Sequence, residues 1–158
     1  MSARKLFLAG RWVDSASNLA VRSPYDGAPV ADVATATEEH LEDAARAALQ
    51  AFGRKSPAPF ERAAILLAMA ADLGGRREEA ARLLAAEAGK PVRDARREVD
   101  RTVATFTVAG EEARRIGGEV IPLDALETGA QKIGITRRYP AGPVLGISPF
   151  NFPMNLVA

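Results

Sequence analysis

Val144-Leu145-Gly146-Ile147-Ser148-Pro149-Phe150-Asn151-Phe152-Pro153-Met154-Asn155-Leu156-Val157-Ala158 decides how the rest of the chain is read. Its first four residues are wholly apolar, the composition of a parallel strand buried on both faces. Residues 148–153 turn out of that strand, and residues 154–158 open what reads as a helix. In an open α/β sheet, ligands bind where a strand's carboxyl end meets the next helix. Asn151 sits at that place between Pro149 and Pro153, which restrict the backbone on both sides. A stiffly held neutral amide can donate to a developing alkoxide without adding a titratable charge, as an oxyanion hole requires. The alternative is a plain one. Asparagine is a common helix N-cap, and on residue type alone that is its commoner use.

Outward from this stretch, the chain divides into three. Residues 1–123 begin with a hairpin, in which Leu6-Phe7-Leu8 and Trp12-Val13 flank Ala9-Gly10. Ser23-Pro24-Tyr25-Asp26-Gly27 is a second turn, and Val30 and Val33 follow as a short strand. From Thr37 the period becomes helical: Leu41, Ala44, Ala45, Ala48, Leu49 and Phe52 form one apolar stripe, with Thr37 as N-cap and Gly53 as stop. A second helix opens near Ser56-Pro57 with Phe60, Ala63, Ala64, Leu67 and Ala71 facing inward, and ends at Gly74-Gly75. A third runs from about Arg76 to Ala88 and stops at Gly89-Lys90-Pro91. The fourth and longest runs from about Val92 to Ile116, its stripe being Val92, Ala95, Val99, Val103, Phe106, Gly110 and Ala113. Residues 124–141 read as an extended arm, and residues 142–158 as a short parallel strand with the start of the following helix. The fold class is α/β.

The chain has 158 residues, with 21 Lys and Arg against 20 Asp and Glu, so its formal net charge is +1. That balance gives no footprint for nucleic acid or an anionic membrane. No apolar run approaches the roughly 18 residues a transmembrane helix needs, and the start lacks a signal-peptide core, so a cytoplasmic location is expected. With no cysteine in the chain, disulfides, thiolate metal sites and a cysteine nucleophile are excluded within it.

Other chemistry-bearing residues have simpler uses. His40, the single histidine, lies in a helix's first turn beside Glu38 and Glu39 and reads as a solvated surface residue. The fourth-helix arginines alternate with Asp94, Glu98 and Asp100, as local pairs on a solvated face do. Lys90 reads as part of a helix stop and restart, and Glu87 and Glu98 mark no pocket. Arg137-Arg138 fits either an intersubunit contact or a charge-protected strand edge.

Residues 147–153 resemble the P-W-N-F-P or P-F-N-F-P segment near the nicotinamide site of the NAD(P)-dependent aldehyde dehydrogenase superfamily. Residues 8–15, the turn at 23–27, Glu87-Ala88-Gly89-Lys90-Pro91 and residues 138–144 resemble further landmarks of that family in the same order. The resemblance covers essentially the whole chain. It implies a cysteine thiolate that attacks an aldehyde, hydride passage to NAD or NADP, and a glutamate that activates water to release the acid. Asn151 matches the oxyanion donor, and Ile147, Ser148, Pro149, Phe150 and Asn151 the segment lining the cofactor site. Phe150 stands where Trp is commoner, a replacement frequent in members that use semialdehydes or other small polar aldehydes. The resemblance also implies a small aldehyde substrate, a dimer or tetramer of full-length chains, and an oligomerisation role for residues 124–141. It further implies a cofactor-binding domain whose N-terminal part is residues 1–123 and whose first nucleotide-domain strand, with the start of the following helix, is residues 142–158. It leads us to expect an N-terminal portion of a longer enzyme, inactive alone because the nucleophile and general base are missing. A non-enzymatic interaction module, one subunit of a split enzyme and a CoA-acylating semialdehyde dehydrogenase are the alternatives.

Overall fold

The computed structural model describes residues 3–54 and 56–158; Met1 and Ser2, the first residues of the segment considered for a signal peptide, and Lys55 lie outside it. Three two-stranded antiparallel sheets flank a helical layer. β1 (Leu6–Leu8) and β2 (Arg11–Val13) form the expected hairpin, with Phe7 opposite Trp12. Ala9 and Gly10 both take positive φ, 49° and 83°, as a two-residue turn matched to strand twist requires. The two aromatic rings lie 5.0 Å apart at 55°, a cross-strand pair that fixes the register. β3 (Asn18–Arg22) pairs β4 (Pro29–Ala34) around the turn at residues 23–27, with an irregularity between Val21 and Arg22.

Four helices follow: α1 (Glu38–Phe52), α2 (Pro59–Gly75), α3 (Arg77–Ala88) and α4 (Val92–Ala113). α1 starts where Thr37 predicts. The Thr37 hydroxyl accepts from the His40 amide at 3.3 Å, and His40 Nδ1 accepts from the Thr37 amide at 3.2 Å. His40 therefore completes a reciprocal cap rather than standing as a bare surface residue. α2 begins two residues later than expected, because Pro59 disfavours helical backbone at Ala58. The Ala58 amide is taken up instead by the Glu61 carboxylate at 2.6 Å.

α4 packs against both α2 and α3, and its contact residues are small. Ala63 and Ala70 of α2, Ala81 and Leu84 of α3, and Ala95, Val99, Gly110 and Ala113 of α4 are buried. The inward face of α2 thus includes Ala70, while Phe60, Ala64 and Ala71, expected to face inward, are exposed. α1 keeps its apolar stripe but buries none of it, with Leu41 and Leu49 more than half exposed. Across the α3–α4 seam, Arg77 grips Asp100 at 2.6 and 2.7 Å, and Arg96 grips Glu78 through two 2.8 Å bonds. The charges of α4 are therefore partnered between helices as well as along one.

Beyond α4, β5 (Val120–Ile121) pairs β6 (Gly134–Ile135), and two 3-10 turns, Leu123–Ala125 and Glu127–Gly129, fill the connection. Residues 124–141 thus hold most of the connection and the second strand of a small hairpin. The expected parallel strand over residues 144–147 is not formed. Val144, Leu145 and Ile147 are 85–86% exposed and run extended without a ladder partner among the described residues. A parallel strand exists only beside neighbours that complete its hydrogen bonds, and none of the described strands lies there. The residues that follow make one helical turn, in which the Leu156 amide donates to Phe152 O and the Ala158 amide to Met154 O. Among the described residues no helix is long and apolar enough to cross a membrane.

Candidate functional site

The segment around Asn151 is anchored from α4 and from the α3–α4 junction. Glu98 lies one residue before Val99 and four before Thr102, all three on the buried side of α4. One carboxylate oxygen of Glu98 accepts the amides of Met154 and Asn155 at 3.0 and 3.3 Å, and the other pairs with Lys90. Lys90 also donates to the carbonyl of Asn151 at 2.9 Å, and its ammonium lies 4.8 Å from the centre of the Phe152 ring. Asn155 is buried and accepts from the Thr105 hydroxyl at 3.3 Å. The Ser148 hydroxyl donates to Pro153 O at 3.1 Å and closes the turn on itself. Gly89 places Lys90 for this task. It caps α3 at φ 65°, and a Cβ there would stand 2.6 Å from the Pro24 ring.

Burial pushes the Glu98 carboxyl up, but Lys90 and the two amides outweigh that and hold it below the ordinary carboxylate range. It is therefore a buried anion at neutral pH. The amides it receives are those a following helix would otherwise leave to its N-cap. Glu98, reaching in from another helix, does the capping. Asn151 keeps an exposed side-chain amide that makes no hydrogen bond among the described residues. It borders a cavity of about 490 Å³ shared with Lys90, Glu98, Arg101 and Phe152. Asp94 and Arg97 close its rim and pair with each other. Arg101 lies 5.6 Å from the Phe152 ring and forms no ion pair among the described residues.

Of the residues singled out from sequence, Ile147, Ser148, Pro149, Phe150 and Asn151 are contiguous on this exposed turn. Ile147 and Phe150 present 85% and 91% of their surface. From Val144 to Ala158 no side chain is charged. Glu98 and Lys90 escaped the sequence reading, which placed Glu98 among solvated charges and Lys90 in a helix stop. A signal was present, since Ala95, Glu98, Val99 and Thr102 follow helical spacing on one face.

The aldehyde dehydrogenase family model matches residues 12–158. A 3-sulfolactaldehyde dehydrogenase of Priestia aryabhattai is 36% identical over 152 residues, which are 96% of this chain and 32% of that protein. Aldehyde dehydrogenase 21 from Physcomitrella patens, solved with its product succinate, superposes with a TM-score of 0.85 at 42% identity. The NADP-dependent glyceraldehyde-3-phosphate dehydrogenase of Bacillus halodurans, solved with NADP, superposes with a TM-score of 0.87 at 31% identity. Each superposition covers 99% of this chain and 34% of the other. The chain thus spans about a third of the length of the relatives it matches.

Proposed function

The chain belongs to the aldehyde dehydrogenase family, and from that premise we propose that it supplies the oxyanion donor and one cofactor wall of an enzyme that oxidises an aldehyde to a carboxylic acid. In that reaction the aldehyde carbon loses a hydride and gains an oxygen from water. One observation carries the proposal. Glu98 caps the turn after Asn151, so the Asn151 amide is left to a ligand. Its N–H groups are then available to the carbonyl oxygen as negative charge gathers there. A donor in that position is worth about 10²–10³ in kcat.

The residues at 147–150 suit a nicotinamide. An exposed phenyl ring and an isoleucine offer apolar surface to a flat heterocycle, and the segment is free of charged side chains. When bound, NAD or NADP supplies the hydride acceptor. Ile147 and Phe150 would bound its ring, and Ser148 and Pro149 would hold the backbone between them. The 158 residues contain no cysteine, so the nucleophile belongs to the part of the relatives' length that they do not span. By the same reading residues 124–141 are the arm through which full-length chains associate.

The cavity beside Asn151 favours a substrate that carries negative charge. Lys90 is engaged by Glu98 and Arg97 by Asp94, whereas Arg101 has no carboxylate partner among the described residues. The three relatives above are likewise associated with charged compounds: 3-sulfolactaldehyde, succinate and glyceraldehyde 3-phosphate.

Both points are tested in the full-length enzyme that contains these residues. Asn151→Ala should slow hydride transfer about 10²–10³-fold while the KM for cofactor stays within about threefold. An equal loss in cofactor affinity would return Asn151 to a purely structural part. Arg101→Gln should lower kcat/KM for an anionic aldehyde about tenfold or more and leave a neutral aldehyde of the same size unaffected. Equal losses on both would remove Arg101 from the substrate site. Free CoA added to the same assay separates hydrolytic from acyl-transferring turnover.

A further inference from the structure

The turn at residues 151–155 has few other ties to the fold, since the residues before it are exposed and unpaired. Beside the packing of Met154 against the core around Val99 and the Thr105–Asn155 bond, two atoms of one ion pair hold its backbone. Lys90 binds the turn at its first carbonyl, and Glu98 binds its last two amides, so the pair brackets the turn at both ends. The partners lie 56–61 residues apart in sequence, so these bonds tie the backbone of the turn to the helical layer.

We propose that the Lys90–Glu98 ion pair is a positioning device for the carboxamide of Asn151. Glu98 is 1% exposed, and burying such a carboxylate is unfavourable unless its oxygens are all engaged. Well-packed apolar residues of similar volume would commonly hold two helices together as well or better. What an apolar pair cannot do is bond a carbonyl and two amides of a third segment. Lys90 and Glu98 do this, from the residue after the α3 cap and from the second turn of α4. With the backbone held at Asn151 O, Met154 N and Asn155 N, the exposed Asn151 side chain is kept at the edge of the cavity it borders. Both residues act through the turn and touch neither reacting atoms nor cofactor in this proposal. They are positioning residues, and their assignment rests on the oxyanion reading of Asn151.

The test uses Glu98→Gln, Lys90→Met and the apolar pair Glu98→Leu with Lys90→Met. In the 158-residue chain, amide hydrogen exchange at Met154 and Asn155 should speed up at least tenfold in the apolar pair, with Ala63 and Ala70 on α2 unchanged. Glu98→Gln, which keeps an oxygen for the two amides, should show a smaller rise. In the full-length enzyme the apolar pair should lose at least tenfold in kcat for hydride transfer, with both KM values within about threefold. Glu98→Gln should recover part of that loss. Unchanged exchange at Met154 and Asn155, or loss shared equally between kcat and KM, overturns the proposal. Where the apolar pair does not fold, Glu98→Gln and Lys90→Met decide by the same two readouts. Asn151→Ala is run alongside. If it leaves hydride transfer intact, the oxyanion reading fails by itself, while the exchange data still decide whether the ion pair holds the turn.

Discussion

Glu98 shows how one side chain can set the chemistry available to another. Its carboxylate is held below its ordinary pKa by Lys90 and two backbone amides despite the opposing effect of burial. The unfolded chain should titrate near about 4.3. A depressed folded value means that stability from this group is fully present above about 4.3 and is lost as pH falls through the folded pKa. Glu98→Gln should therefore unfold at lower urea than the parent at pH 7, and the gap should narrow as the pH falls below about 4. A gap constant from pH 7 to pH 3 would show that the charge of Glu98 contributes nothing. At this scale the sequence was half legible. Two prolines and an asparagine announced a stiff turn with a donor in it. Glu98 was hidden because its neighbours Arg96, Arg97 and Asp100 make the surrounding helix look solvated, and burial of one charge among many depends on which element arrives opposite it.

At the scale of elements, the helical layer is held by close approach more than by large side chains. A Cβ built at Gly110 of α4 would stand 3.0 Å from Leu67 Cγ and 3.4 Å from the Ala63 carbonyl of α2. Gly110→Val should therefore destabilise the chain by about 1–3 kcal/mol through overpacking, read as a drop in the thermal midpoint. A gain in stability would mean that α2 gives way easily, with helix propensity winning over packing. The starts and stops of α1 and α3 were legible because Thr37, Gly53 and Gly89 act locally. The expected strand at residues 144–147 was not. Four apolar residues report a preference for burial, but a parallel strand is made by its neighbours, and the described residues provide none.

At the scale of the whole molecule, the surface is the telling quantity. The described residues expose 12148 Å², where a compact chain of 16.8 kDa would expose about 7,700 Å². Much of the excess is apolar: Val144, Leu145, Ile147 and Phe150 are each at least 85% exposed, and α1 leaves Leu41 and Leu49 uncovered. Such surface is ordinarily covered in a folded protein, and the relatives carry about two-thirds of their length outside the matched region. Backbone amides tell directly whether residues 144–147 have a partner. In the 158-residue chain they should exchange within about tenfold of free-peptide rates, while amides at Val99 and Thr102 on α4 are strongly protected. In the full-length enzyme the same four residues should become protected as a strand between neighbours. Protection already present in the 158-residue chain and rising with its concentration would instead mean that two copies pair through this segment. That result would make the exposed run a self-association edge and count against its place in a cofactor-binding sheet.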